Sequence, residues 1–161
     1  MNYVITKLLK KLEDGIKESD VKHYYFGKPD VDNVFENIVG KGVIMVEPMT
    51  TSITSVTTGL QDEDTYSIAI HLVKKLTGNP RNAQIEPGAQ YLTRVMEGRN
   101  EETGAFLTDT IRFVVRNNFK TLGLMETGVE IDYETDVFDI KGAFSATMTI
   151  GVIEHTTQPI L

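Results

Sequence analysis

Glu130, Asp132 and Glu134 occupy alternate positions in the 161-residue chain. In an extended strand alternate side chains share a face, so these three carboxylates line one side, with same-face neighbours ~7 Å apart. Such a row could hold a hard cation or supply paired acid–base carboxylates. The offsets from Asp132 to Asp139 lack the glycine-bearing turn and closing glutamate of a calcium loop. A solvated strand face and a deliberately negative assembly surface are the two other readings. His23, His71 and His155 fall on or beside strand-like segments. Sheet neighbours could bring them together as metal ligands, although a partly buried strand histidine is the commoner case. Gly40-Lys41-Gly42 is the nearest approach to a phosphate loop. It lacks the required spacing, and a strand follows it instead of a helix. No Gly-x-Gly-x-x-Gly and no Gly-x-Ser-x-Gly occurs. The chain has no cysteine, which excludes disulfides, thiolate zinc sites and cysteine nucleophiles.

The elements that must position these residues can be read from hydrophobic period. Ile5, Leu8, Leu9, Leu12 and Ile16 recur at spacings of three and four. That stripe predicts an amphipathic helix over 3–18, with Asn2 as N-cap and Gly15 weakening the last turn. Its polar face is mixed in charge and lacks tryptophan, which favours core packing over a membrane surface. Val21-Lys22-His23-Tyr24-Tyr25-Phe26 is rich in strand formers. Residues 27–42 read as a loop with one short element at Val34-Phe35. Residues 42–48 form an apolar run bounded by breakers, which suits a strand buried on both faces. Residues 49–59 hold seven Ser or Thr, and both an exposed loop and a long β-hairpin arm remain open there. Tyr66, Ile68, Ile70 and Leu72 alternate with Ser67, Ala69 and His71, the pattern of a half-buried strand. Turn chemistry follows at 77–82, with a second break at Pro87-Gly88.

Tyr91, Leu92, Val95 and Met96 predict a helix over 89–97 capped by Gly98, before a loop at 99–104. Leu107, Ile111, Val114, Val115 and Asn118 predict the next helix over 105–118, with Arg112 and Arg116 on its outer face. The last third has a period of two. Val129, Ile131 and Tyr133 form one strand, and Phe144, Ala146, Met148, Ile150 and Val152 another, antiparallel to it. The order helix, strands, helices, strands predicts an α+β domain over 1–161. Its mostly antiparallel sheet packs against the N-terminal helix and two central helices.

The 16 basic and 23 acidic residues leave a net charge of −7. The excess is lopsided: residues 121–161 hold seven acids against one base, a net of −6, and residues 1–120 hold 16 against 15. An acidic average opposes sequence-independent binding of nucleic acid. No apolar run approaches the ~20 residues that span a bilayer. No leader is visible at the N-terminus, and a protein that stays in the cytoplasm where it is made is the expectation.

The arrangement has a family likeness. An amphipathic helix leads to a strand, a Gly/Pro-rich stretch, a short strand ending Glu47-Pro48, a polar arm and a second strand. A Met96-Glu97-Gly98-Arg99 turn, the Thr110-Ile111-Arg112-Phe113-Val114 helix and two closing strands complete it. This order resembles that of the tail terminator and tail-completion proteins of long-tailed bacteriophages. The likeness covers most of the chain and rests on element order and size. It implies a virion protein, assembled in the host cytoplasm, without enzymatic activity or cofactor. Its subunits would form a hexameric ring that caps the tail tube, ends its polymerisation and meets the head connector, with DNA passing through without specific binding. The arm at about 49–64, with Thr50, Thr51, Ile53, Thr54, Val56 and Thr57, would match the family's extended loop. Glu130, Asp132 and Glu134 would face the channel or a neighbouring subunit, and Arg99, Arg112 and Arg116 are the candidate inter-subunit bases. The alternatives are a tail-tube or head-completion subunit and, from the carboxylate ladder with a histidine, a small metal-dependent enzyme.

Overall fold

The apolar stripe of the N-terminal segment needs a surface to cover, and a five-stranded sheet provides it. The computed structural model describes residues 2–17, 21–27, 42–57, 61–75, 88–135 and 143–157. Helix α1 (Asn2–Gly15) leads to strand β1 (Val21–Phe26). Strands β2 (Gly42–Thr57) and β3 (Gln61–Lys75) follow. Helices α2 (Gly88–Glu97) and α3 (Ile111–Thr121) precede β4 (Met125–Thr135) and β5 (Ala143–Thr157). The strands lie in the order β1-β2-β3-β5-β4. Among the described residues, only the β1–β2 pair is parallel. The fold is therefore α+β, as the element order predicts.

Period explains the core. Val4, Ile5, Leu8 and Leu12 of α1 are fully buried. They pack with Tyr91, Leu92, Val95 and Met96 of α2, and with Ile111, Val115 and Phe119 of α3. The sheet meets them with Ile44 and Val46, with Tyr66, Ile68, Ile70 and Leu72, and with Ala146, Met148, Ile150 and Val152. Each such aliphatic side chain contributes about 1.5–3 kcal/mol on leaving water. Gly15 owes its place to crowding. A Cβ there would stand 2.7 Å from a methyl carbon of Val114, so α1 and α3 approach closely only because the side chain is missing.

The structure alters two expectations. β3 is buried on both faces between 69 and 73, because Ala69, His71 and Val73 are buried along with Ile70 and Leu72. β2 is buried on both faces over 43–46, as its unbroken apolar run predicts. The third helix starts at Ile111, not 105. Thr110 caps it by accepting from the Phe113 N–H at 3.3 Å. The residues before it are held in a turn in which Arg99 bridges to Phe106. Asn100 fixes that turn by accepting from the N–H groups of Glu102 and Thr103, and Gly104 supplies the left-handed conformation it needs. The Val34-Phe35 element, the 77–82 turn, Pro87, Asp136, Asp139 and Gly40-Lys41 lie outside the described residues, as does the side chain of His23.

Candidate functional site

Three surfaces come from the residues singled out by type and spacing. The first is the acidic ladder. β4 is an edge strand, and it pairs Glu130 with Thr149, Asp132 with Thr147 and Glu134 with Ser145. Its alternate residues Val129, Ile131 and Tyr133 pair with Ile150, Met148 and Ala146, on the helix side of the sheet. The three carboxylates therefore stand together on the opposite face, and all three are exposed. Charged side chains on an edge strand also discourage uncontrolled pairing with other sheets. Among the described residues, no group of three His, Asp or Glu side chains stands close enough to hold a metal ion.

The same face carries an arrangement that sequence reasoning missed. His71 is only 8% exposed. Its Nε2 lies 2.8 Å from a carboxylate oxygen of Glu47, and its Nδ1 lies 2.9 Å from the Thr147 hydroxyl. Hydroxyl, imidazole and carboxylate thus stand in line across β5, β3 and β2, the order of a nucleophilic relay. The chain of hydrogen bonds ties three strands together as a clasp. Its partners are 24 and 76 positions from His71, and only the strand register joins them.

The second surface holds the bases. Arg112, Arg116 and Arg99 do not act alike. Both terminal nitrogens of Arg112 donate to Glu126, each at 2.8 Å, in a two-pronged pair that is mostly buried. Arg116 is exposed one turn further along α3. Arg99 is held 3.8 Å over the ring of Phe106 and donates to the Gly104 carbonyl at 2.9 Å. Arg99 and Arg116 line one cleft with Lys120, Phe106 and Phe113. The two aromatic rings and Lys120 were missing from the sequence-based set. The spacing of Phe113, Arg116 and Lys120 on α3 is a signal that marks one helix face, whereas Phe106 precedes the helix and carries no such signal.

The third surface is the Thr-rich arm. It is a strand ribbon, with Thr51 opposite Tyr66, Ile53 opposite Asp64 and Thr57 opposite Gln61. β5 pairs alongside as far as Gln61 and Thr157, making it three strands wide. Among the residues whose side chains are described, none of the core comes from 49–54, 62–65 or 153–155. From Thr51 outward it extends for about 20 Å at ~3.3 Å per residue. Thr50, Thr51 and Thr54 are exposed, and so are Met49, at 53%, and Ile53, at 65%. Val56 and Thr57 lie on the outer part of the strand.

The ribbon is fastened at its base. The hydroxyls of Tyr3 on α1 and Tyr66 on β3 both donate to Glu154 of β5. Burial, reinforced by the hydrogen bond to Glu154 and by its charge, pushes the Tyr3 hydroxyl up to about 12. Tyr66 moves in the same direction, through burial first and Glu154 second. Further out, His155 and Glu63 approach to 3.9 Å.

No helix among the described residues is long and apolar enough to cross a membrane. No protein-family model matches the chain, and no curated protein sequence matches it either.

Proposed function

We propose that this chain is a structural virion protein, a tail terminator of a long-tailed bacteriophage. In this reading it assembles as a ring, caps the tail tube, ends its polymerisation and offers the joining surface to the head connector. It acts through surfaces and uses no cofactor or turnover. The observation that carries the reading is the three-stranded ribbon. Its described side chains from 49–54, 62–65 and 153–155 stand outside the core, and it exposes Met49 and Ile53 in a row of threonines. Exposed apolar side chains on a hydrogen-bonded ribbon suit a surface that a partner covers. The row of Glu130, Asp132 and Glu134 supports the same reading, because a carboxylate wall repels phosphate and lets DNA slide without gripping it. A closed ring would also cover the β4 edge.

Electron microscopy of the purified chain mixed with tail tubes tests the proposal. The expected result is hexameric rings seated on tube ends, and tubes that stop growing. Open tubes made by the chain alone would point instead to a tube subunit, which the ribbon also suits. Unoccupied tube ends with only single copies in solution would overturn the proposal.

A further inference from the structure

A cleft of about 460 Å³ opens between the outer face of α3 and the 99–106 turn. Arg99, Arg116 and Lys120 line it with the rings of Phe106 and Phe113, and among the described residues its lining holds no carboxylate. The stacking on Phe106 and the bond to the Gly104 carbonyl set the Arg99 guanidinium in place. Arg116 and Lys120 stand one turn apart on α3, and both are exposed. Among the described residues, no carboxylate pairs with any of these three bases. Positive charge is thus concentrated at one place on a chain of net charge −7.

One side of the ribbon, close to its base, is the chemical complement of this cleft. Asp62 and Asp64 leave that side of β3, and Glu63 between them leaves the other. Ile53 stands directly across from Asp64 and is 65% exposed. Directly opposed residues of an antiparallel pair leave the same side of the sheet. An aliphatic side chain beside carboxylates therefore matches aromatic rings beside cations. We infer that this side of the ribbon of one copy docks against the cleft of a second copy. Ile53 packs on Phe106 and Phe113, and Asp64 meets Arg99, Arg116 and Lys120. The ribbon is already hydrogen-bonded into strands, so little ordering opposes docking.

Ribbon and cleft are different surfaces, so the contact is head to tail and not two-fold. Repeated, it closes a ring or extends a filament. The inference deepens the ring reading and takes from it only the premise that copies of this chain associate. A nucleic acid is a poorer occupant. The exposed Glu101 and Glu102 on the adjoining turn repel a long polyanion, whereas a small acidic patch meets the cleft alone.

Charge reversal on each side, followed by mixing, tests the contact. One variant carries Arg116→Glu with Lys120→Glu, and the other Asp62→Lys with Asp64→Lys. Thermal unfolding first checks that both fold as the parent does. Mass photometry at about 50 mM salt, with and without tail tubes, then reads assembly. Each variant alone is expected to associate at least roughly tenfold more weakly than the parent. The equimolar mixture is expected to recover assembly, because every ribbon then finds a cleft of opposite charge. If both variants assemble like the parent, the cleft contact is wrong and the ring reading stands. If the mixture does not recover, the pairing of these two surfaces is wrong. If the parent itself never associates, even on tubes, the ring reading falls and this inference with it. Binding of a duplex oligonucleotide that the Arg116→Glu, Lys120→Glu variant loses, with assembly intact, would assign the cleft to nucleic acid and overturn the inference.

Discussion

β2, β3 and β5 run through two regions that share a backbone and differ in everything else. Under the helices their inward residues are Ile44, Val46, Ile68, Ile70, Met148 and Ile150, all fully buried. In the ribbon the same strands carry threonines, Met49, Ile53 and the acids at 62–64, outside the core. Hydrogen-bonded pairing continues across the boundary, so backbone geometry is common to both. The difference lies in side-chain burial. It places the chain's stability in the first region and leaves the second free to meet a partner.

The strongest attack on this division is in the helical region. Phe119→Ala should cost ~3–5 kcal/mol by emptying a fully buried aromatic site. Urea unfolding measures it, and a loss no larger than at an exposed site would break the division. Gly15→Ala comes next, and its sign is the informative part. Helix propensity alone predicts a gain of ~1 kcal/mol. The 2.7 Å approach to Val114 predicts a net loss of ~1–3 kcal/mol from overpacking. A stabilised variant would show that α1 and α3 have room to part.

Between the regions lies the Arg112–Glu126 pair. Arg112→Ala should cost ~1–3 kcal/mol, because it leaves a mostly buried carboxylate without its two donors. A double-mutant cycle with Glu126→Gln should return a coupling of ~1 kcal/mol. Additive losses would mean that the pair does not act as a unit.

The ribbon's anchor gives a pH test. Tyr3 keeps its proton up to about 12 in the folded chain, while an unfolded tyrosine ionises near ~10. The folded pKa is the higher one, so this stabilising contribution is complete below the unfolded value. It is lost as pH rises through the folded one. Glu154→Gln removes the carboxylate charge and should bring tyrosinate formation at Tyr3 and Tyr66 back toward ordinary values. An ultraviolet titration unchanged from the parent would contradict the anchor. The smallest effect on folding is expected on the exposed side of the ribbon, where Ile53→Asp should change stability by within ~0.5 kcal/mol. The same change should abolish association.

Much of the fold could be read from period alone. The α1 stripe, the two-faced apolar run of β2 and the β4–β5 pair all announce themselves by which residues repeat. The arm was ambiguous because Ser and Thr serve loops, whereas Thr, Ile and Val also favour strands. The pairing of Ile53 with Asp64 and Thr57 with Gln61 decides for strand. Other features depend on distant partners. His71 looked like the polar side of a half-buried strand, and only Glu47 and Thr147 make its burial tolerable. The late start of α3 depends on Thr110 accepting from Phe113, which competes with Leu107 for the reading of one helix. Arg112 and Arg116 have identical spacing signals, yet Glu126, on the next strand, separates their roles. The cleft needed Phe106 and Lys120 from opposite sides of the Thr110 cap, and no single period contains both.

The most direct test compares the masses of the parent and the Ile53→Asp chain in the presence of tail tubes. A docking account predicts a hexamer for the parent and a folded single copy for the variant. A parent that stays single on tubes, or a variant that assembles as readily as the parent, would contradict it.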